Sequence, residues 1–129
     1  MENYNLKIGM KYESALVVEE KHTAFAYGSG LLYVFSTPAM IGLIENAALN
    51  CVDKKIGEKY STVGIHLDIK HIAATKMGKK VFATAELIEI NGKKLLFKVK
   101  AFDEDKKIGE GYHSRYIIDF EEFMKQVNS

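Results

Sequence analysis

The order of hydrophobic patterns predicts an α+β fold in which one antiparallel sheet packs against a single long helix. An apolar stretch of helical period lies between residues 37 and 57, and residues 63–118 alternate with the period of strands. A run of strands beside one helix is typical of α+β domains. The 129 residues are predicted to form a single domain spanning residues 1–129.

The first half of the chain contains the predicted helix. Residues 14–27 mix β-branched and aromatic residues with charges, so we expect one or two strands there, broken near Glu19-Glu20-Lys21. Thr37 suits the N-cap of the helix and Pro38 its first position, and the helix is expected to end near Gly57. Because this segment is apolar nearly all round, the helix is predicted to be buried.

The second half is predicted to form four strands and a short C-terminal helix. The first strand begins at Val63, and its alternation predicts one shared face. That face contains Ile65, Leu67, Ile69 and His71. Asn91-Gly92 predicts a hairpin between the strands over 79–90 and 94–102, and a last strand follows over 108–118. Asp119 and Glu122 are spaced as the capping box of the terminal helix.

Composition argues against several classes of partner. The net charge is +1, which gives no field to attract nucleic acid. No apolar run approaches the ~20 residues that span a bilayer, so no membrane partner is expected. Cys51 is the single cysteine and stands in an apolar stretch, which indicates a buried thiol and a cytoplasmic protein. One helix covers such a sheet incompletely, so a second subunit is expected.

Glu45 and His71 are the polar residues that stand out in apolar surroundings. A buried carboxylate is costly without hydrogen bonds, so Glu45 either lies on a wet stripe of the helix or serves as a base in a pocket. His71 is either a satisfied core residue or a proton-transfer group. Thr37, eight residues before Glu45, lies ~80° away around the helix and is either only a cap or also an oxyanion contact.

Other polar residues support weaker hypotheses. His113 and Arg115 share a face of the last strand, where Arg115 either binds a carboxylate or phosphate or forms a surface ion pair. The four histidines and one cysteine show no ligand spacing, so no metal site is expected. No phosphate loop or nucleophile elbow is present, which removes two further enzyme classes.

Three segments together resemble the fluoroacetyl-CoA thioesterase-like branch of the hotdog superfamily. They are Phe35-Ser36-Thr37-Pro38-Ala39-Met40-Ile41-Gly42-Leu43-Ile44-Glu45, Val63-Gly64-Ile65-His66-Leu67-Asp68-Ile69-Lys70-His71-Ile72-Ala73-Ala74-Thr75 and Ile108-Gly109-Glu110-Gly111-Tyr112-His113-Ser114-Arg115. The similarity covers most of the chain in collinear order. It implies a hotdog fold and a homodimer, with a tetramer left open.

The resemblance also implies an activity and its residues. We expect an acyl-CoA thioesterase without a cofactor, in which coenzyme A is part of the substrate. Its catalytic residues would be Thr37, Glu45 and His71, and Gly64, Arg115 and Asn46 are the substrate-binding candidates. Asn46 stands where the family has an aromatic residue, and the segment before Thr37 also differs, so an acyl group other than fluoroacetyl is expected.

Two alternatives remain open from the sequence. A non-catalytic acyl-CoA or fatty-acyl binding module would keep the pocket and tolerate loss of Glu45 or His71. Another hotdog enzyme, such as an enoyl-CoA hydratase, would form a hydroxyacyl product instead of a free thiol. The CoA phosphates need cations, and the sequence offers three unranked candidate pairs, Lys54-Lys55, Lys79-Lys80 and Lys106-Lys107.

Overall fold

The protein folds as a five-stranded antiparallel sheet with one long helix across it, in a computed structural model that describes residues 4–129. Strand order is β1-β3-β4-β5-β2, so β1 and β2 form the two edges. The predicted α+β class is confirmed. In chain order the elements are β1 (Lys11–Val17), a 3₁₀ turn (Glu20–His22), α1 (Ala24–Tyr27), α2 (Thr37–Ile56), β2 (Tyr60–His71), β3 (Lys80–Asn91), β4 (Lys94–Asp103), β5 (Lys107–Asp119) and α3 (Phe120–Val127).

The core lies between α2 and the sheet. On β3 and β4 nearly every second residue is buried, as expected for a sheet with one face in the core. The predicted hairpin joins these strands, with Gly92 at a φ of 63° that favours glycine. Cys51 is buried, as predicted, and burial raises the pKa of its thiol. The buried residues of α2 are Ala39, Met40, Leu43, Ile44, Ala47, Ala48, Cys51, Val52 and Ile56.

The segment after β1 corrects the prediction of a second strand within residues 14–27. The chain leaves β1 after Val17 and forms the 3₁₀ turn and α1. The Thr23 hydroxyl accepts a hydrogen bond from the Ala26 amide, and Gly28 ends α1 in the left-handed conformation. Local capping therefore overrides the strand preference of this composition.

The start of α2 differs from the prediction by one residue. Ser36 is the N-cap, because its Oγ accepts a hydrogen bond from the Ala39 amide at 3.1 Å. Thr37 is therefore the first helical residue and Pro38 the second, with both side chains exposed. This frees the Thr37 hydroxyl for other contacts. The helix ends at Gly57, as predicted.

Within this chain α2 is buried on one side only, so the expectation of burial all round is wrong. Pro38, Gly42 and Asn46 form an exposed stripe at a four-residue spacing. On the neighbouring edge strand, Ile65 is 48% and Leu67 is 42% exposed. A helix side and a sheet edge of this kind are left without a cover inside one chain.

A β-bulge interrupts the predicted alternation of side chains along β2. The pairing of β2 with β5 shifts between Gly64 and His66, and Ile65 falls at the shift. Beyond it, Leu67, Ile69 and His71 follow the predicted alternation, whereas Ile65 lies at the bulge, outside the regular pairing. The sequence pattern cannot reveal a bulge that depends on the partner strand.

The C-terminal helix is confirmed. The Asp119 side chain accepts a hydrogen bond from the Glu122 amide at 3.1 Å and caps α3. The apolar residues of α3 are not buried by the rest of the chain. Among the residues described, none of the helices has the length and apolar character needed to span a membrane.

Candidate active site

The first cluster of predicted site residues lies where α2 begins and β2 ends. The Thr37 Oγ1 and His71 Nδ1 atoms are 2.8 Å apart, a hydrogen bond that either group can donate. Burial lowers the pKa of His71, and the Ala73 backbone acts in the opposite direction. The imidazole is therefore neutral near pH 7 and can accept a proton.

This pair opens into a cleft of about 350 Å³. Its wall includes Phe35, Ser36 and Ala73 beside Thr37 and His71. Pro38 has no amide hydrogen and the Ala39 amide is held by Ser36, so the helix end offers fewer backbone donors than the sequence suggested. The Thr37 hydroxyl is therefore the main donor that α2 presents here.

The His71 ring has one further property. Its Nε2 atom is buried and has no hydrogen-bond partner within residues 4–129. Buried polar atoms are almost always paired, so an unpaired one in a candidate site calls for an explanation. A partner supplied from outside the chain, whether substrate, water or a second subunit, satisfies this atom.

The second cluster surrounds Gly64 on β2. A Cβ atom at Gly64 would lie 2.8 Å from Glu45 Oε2, 3.1 Å from His113 Cε1 and 3.5 Å from Arg115 Nη1. Any side chain at this position would therefore displace the Glu45 carboxylate or the His113 ring. The glycine leaves a gap bordered by a carboxylate and a guanidinium.

His113 is the residue of this cluster that the sequence did not single out as functional. It is fully buried, with Nδ1 2.9 Å from the His66 carbonyl and Nε2 3.1 Å from Arg115 Nη1. Since the guanidinium can only donate, Nε2 accepts and Nδ1 carries the proton. Burial, together with the Arg115 charge, lowers the pKa of His113 and keeps the ring neutral.

Arg115 is buried rather than part of a surface ion pair, so that interpretation is wrong. Arg115 is only 7% exposed. It donates one hydrogen bond from Nε to Thr62 Oγ1 at 2.8 Å and another from Nη2 to the Thr62 carbonyl at 2.9 Å. Burial lowers its pKa, while the charges of Asp53 and Glu45 act in the opposite direction. A guanidinium remains protonated in proteins, so a fixed positive charge lies beside Gly64.

Asn46 points away from both clusters. Its Oδ1 accepts hydrogen bonds from Ser14 Oγ at 2.7 Å and from Asn50 Nδ2 at 3.1 Å. The side chain is therefore held toward β1, on the exposed stripe of α2. Its predicted role in substrate binding stays a prediction.

The two clusters are far apart within one chain. Thr37 and Glu45 are separated by eight helical residues, or ~12 Å along the axis. Gly64 and His71 are seven residues apart on β2, or about 20 Å. The chain thus joins Thr37 with His71 and Glu45 with Gly64 and Arg115, but does not bring Glu45 to His71. No group of three or more potential metal ligands occurs in residues 4–129.

Comparison with known proteins places this geometry in a family. Residues 18–121 match the family described as fluoroacetyl-CoA-specific thioesterase. The chain is 35% identical over 94 residues to the fluoroacetyl-CoA thioesterase of Streptantibioticus cattleyicolor, covering 73% of this chain and 68% of that protein.

Solved structures agree with this match. The structure of the fluoroacetyl-CoA thioesterase FlK has a TM-score of 0.88 and 29% identity, covering 95% of this chain and 96% of the other. A threonine-to-serine variant of FlK in complex with acetyl-CoA has a TM-score of 0.90 and 29% identity, covering 95% and 97%. A hot-dog-like protein from Thermanaerovibrio acidaminovorans, 20% identical and covering 98% and 95%, shares the fold with a TM-score of 0.88. This chain therefore has the hotdog fold and belongs to the fluoroacetyl-CoA-specific thioesterase family.

Proposed function

We propose that this protein hydrolyses a small or medium acyl-CoA thioester to the free acid and CoA. Family membership confirms the predicted class, a thioester hydrolase. The observation that carries the proposal is the 2.8 Å contact between Thr37 and a neutral His71 in an open cleft. A hydroxyl and a base in this arrangement are suited to bind and polarise an acyl carbonyl.

In the proposed reaction water attacks the thioester carbonyl carbon. Glu45 or His71 takes the proton from the water, and Thr37 donates a hydrogen bond to the carbonyl oxygen as it becomes negative. The C–S bond then breaks, and the CoA sulfur leaves as the thiol after receiving a proton. A covalent route, in which His71 activates Thr37 as the nucleophile, uses the same contact and differs by an acyl-enzyme intermediate.

We further propose that the active site is completed in a homodimer. The free edge of β2 has exposed Ile65 and Leu67, and the adjacent side of α2 is uncovered. Two copies of β2 that pair antiparallel about an axis between Leu67 and Asp68 would set Gly64 beside His71 of the partner subunit. Glu45 of one subunit would then face the Thr37–His71 pair of the other.

The CoA phosphates are proposed to lie over a second cleft beside the first. This cleft of about 440 Å³ shares Val34 and Ala74 with the Thr37 cleft, and its walls carry Lys76, Lys79 and Lys106. Lys106 is paired with buried Asp103 at 2.8 Å, whereas Lys79 pairs with exposed Asp105 and can exchange it for a phosphate at little cost. Of the three sequence candidates, Lys54-Lys55 does not border either cleft.

The acyl group is proposed to differ from fluoroacetyl. The segment before Thr37 exposes large apolar side chains, with Leu31 85% and Leu32 66% exposed and Tyr33 stacked on Phe25 at 4.8 Å. Apolar surface of this kind beside a cleft suits a larger apolar acyl chain than a two-carbon one. No cofactor is required by the proposed chemistry, and the buried single cysteine suits the cytoplasm.

Release of free thiol from a panel of short-, medium- and aryl-acyl-CoAs tests the proposal. Wild type should turn over at least one panel member, and His71→Ala should lower kcat by about 10²-fold or more. His22→Ala, which changes a histidine outside both clusters, is the matched control and should keep full activity. Absence of thiol release from every member by a folded dimer would contradict the proposal, and a hydroxyacyl-CoA product would identify a hydratase instead.

A further inference from the structure

We propose that Asp53 and Thr62 are positioning residues that hold Arg115 against the gap at Gly64, where it acts together with Glu45. This inference rests on the proposed thioesterase function. Neither Asp53 nor Thr62 touches the gap directly. They act through the guanidinium, by a chain of hydrogen bonds that runs from α2 through β2 to β5.

The hydrogen bonds of Thr62 define the direction of this chain. Arg115 Nε can only donate, so the Thr62 hydroxyl oxygen accepts from it at 2.8 Å. The hydroxyl hydrogen is then free to be donated to Asp53 Oδ1, which lies at 2.7 Å. Thr62 is buried and its carbonyl accepts a second bond from Arg115 at 2.9 Å. One residue therefore fixes two of the three guanidinium nitrogens.

Asp53 is anchored independently of the guanidinium. Its Oδ2 accepts hydrogen bonds from Ser61 Oγ at 2.6 Å and from the Thr62 amide at 3.3 Å. Asp53 also favours the charged form of Arg115 through space. A buried positive charge is costly to hold without a counter-charge, so Asp53 stabilises Arg115 in place.

The remaining contact of Arg115 directs it at the gap. Nη1 donates one hydrogen bond to His113 Nε2 at 3.1 Å and lies 3.5 Å from the position of the missing Gly64 side chain. Glu45 Oε2 lies 2.8 Å from the same position, yet the ion pairs among residues 4–129 do not include Glu45 with Arg115. The carboxylate and the guanidinium therefore both border the Gly64 position without being ion-paired to each other.

Asp53 and Glu45 are both carboxylates of α2. They are eight residues apart, so they point ~80° apart around the helix and ~12 Å apart along it. Arg115 is attracted by both. Asp53 holds the inner end of the guanidinium through Thr62, and this leaves the outer nitrogen for Glu45 and the reacting atoms.

The test compares Thr62→Val with Thr62→Ser and with Thr84→Val. Thr62→Val keeps the side-chain shape and removes the hydroxyl, and it should lower kcat about 10- to 100-fold with KM within about twofold. Thr62→Ser restores the hydroxyl and should stay within about threefold of wild type. Thr84→Val makes the same change at a threonine of β3 outside both clusters, and it should leave kcat unchanged.

A second arm separates positioning from stability. If Thr62 acts through Arg115 on the same step as Glu45, Thr62→Val should cause little further loss of kcat in a Glu45→Gln background, measured at high enzyme concentration. An equal kcat for Thr62→Val and Thr62→Ser, or a full multiplicative loss in the Glu45→Gln background, would overturn the inference. If Thr62→Val does not fold, Asp53→Asn keeps the shape and carries the same predictions. If the wild-type protein itself releases no thiol, that result would overturn the proposed function rather than this inference.

Discussion

The Thr37–His71 pair and the cluster around Gly64 differ in how deeply their side chains are buried and in how many hydrogen bonds hold them. Thr37 is exposed at the start of α2, and the buried Nε2 of His71 has no hydrogen-bond partner among residues 4–129. At Gly64, by contrast, Arg115 and His113 are buried and each is held by at least two hydrogen bonds. The Gly64 cluster is therefore buried and held by several hydrogen bonds, whereas the Thr37–His71 pair lies at an open cleft.

This difference in burial bears on the proposal that two subunits share one active site. Within one chain the helix and sheet do not bring the clusters together, because Gly64 lies near the middle of β2 and His71 at its end. In the homodimer proposed above, pairing of two β2 edges would bring the buried Gly64 cluster of one subunit to the Thr37–His71 pair of the other. The account therefore predicts that damage to either cluster abolishes the same reaction.

The largest effect is expected from Glu45→Gln, which keeps the side-chain size and removes the carboxylate. If Glu45 handles the proton of water, kcat should fall about 10²- to 10⁴-fold with little loss of acyl-CoA binding. Steady-state thiol release and calorimetry with a non-hydrolysable analogue measure the two effects. Glu89→Gln, at an exposed position of β3, is the control, and unchanged turnover in Glu45→Gln would contradict a role of Glu45 in the chemical step.

A smaller effect is expected from Gly64→Ala. The new methyl would lie 2.8 Å from Glu45 Oε2, so the carboxylate must move by several tenths of an ångström or more. Misplacement on this scale should lower kcat by about 10- to 100-fold. Stopped-flow or steady-state assays on the folded dimer check this, and full activity would show that the Glu45 carboxylate does not act from its position in the structure.

A still smaller, substrate-dependent effect is expected from the double change Lys76→Ala and Lys79→Ala. KM for an acyl-CoA should rise about fivefold, roughly 1 kcal/mol, because charge-assisted contacts to phosphate are lost. KM for the same acyl group on pantetheine, which lacks the nucleotide phosphates, should not change. Lys54→Ala with Lys55→Ala is the matched control, and an equal KM rise in this control would remove the assignment of the second cleft.

The smallest effect concerns pH and stability. Burial lowers the pKa values of His71 and His113 from the ordinary 6.5, so the unfolded chain binds more protons once pH falls toward 6.5. The free energy of unfolding should then decrease with falling pH, by at most about 1.4 kcal/mol per pH unit for each histidine. Denaturant titrations at pH 7.5 and 5.5, at one protein concentration, measure this. His113→Asn should reduce the slope, and an unchanged slope would contradict the neutral state of His113.

The sequence predicts correctly those helices and strands that local residue patterns determine. The helix, the hairpin at Asn91-Gly92 and the capped terminal helix follow from local periodicity and capping. The N-cap was misassigned because Ser36 and Thr37 both carry hydroxyls, and only the surroundings decide which one caps. The single domain over residues 1–129 and the cytoplasmic location stay predictions.

The candidate site was predictable only in part. Glu45 and His71 stand out because each interrupts an apolar pattern. Arg115 was misjudged as a surface residue, since its burial depends on Thr62, which is 53 residues away in the chain. The sequence predicts that the stripe of Pro38, Gly42 and Asn46 on α2 is buried, but these residues are exposed in the structure. An apolar helix side does not indicate whether the residues that cover it belong to the same chain.

Subunit complementation tests the central claim, a site shared between two subunits, most directly. Glu45→Gln and His71→Ala subunits, each nearly inactive alone, are mixed and allowed to exchange. A shared site predicts that each mixed dimer regains one intact site, so activity should recover to about a quarter of wild type at random exchange. No recovery, with mixed dimers verified by mass, would contradict the account and place both residues in one subunit's site.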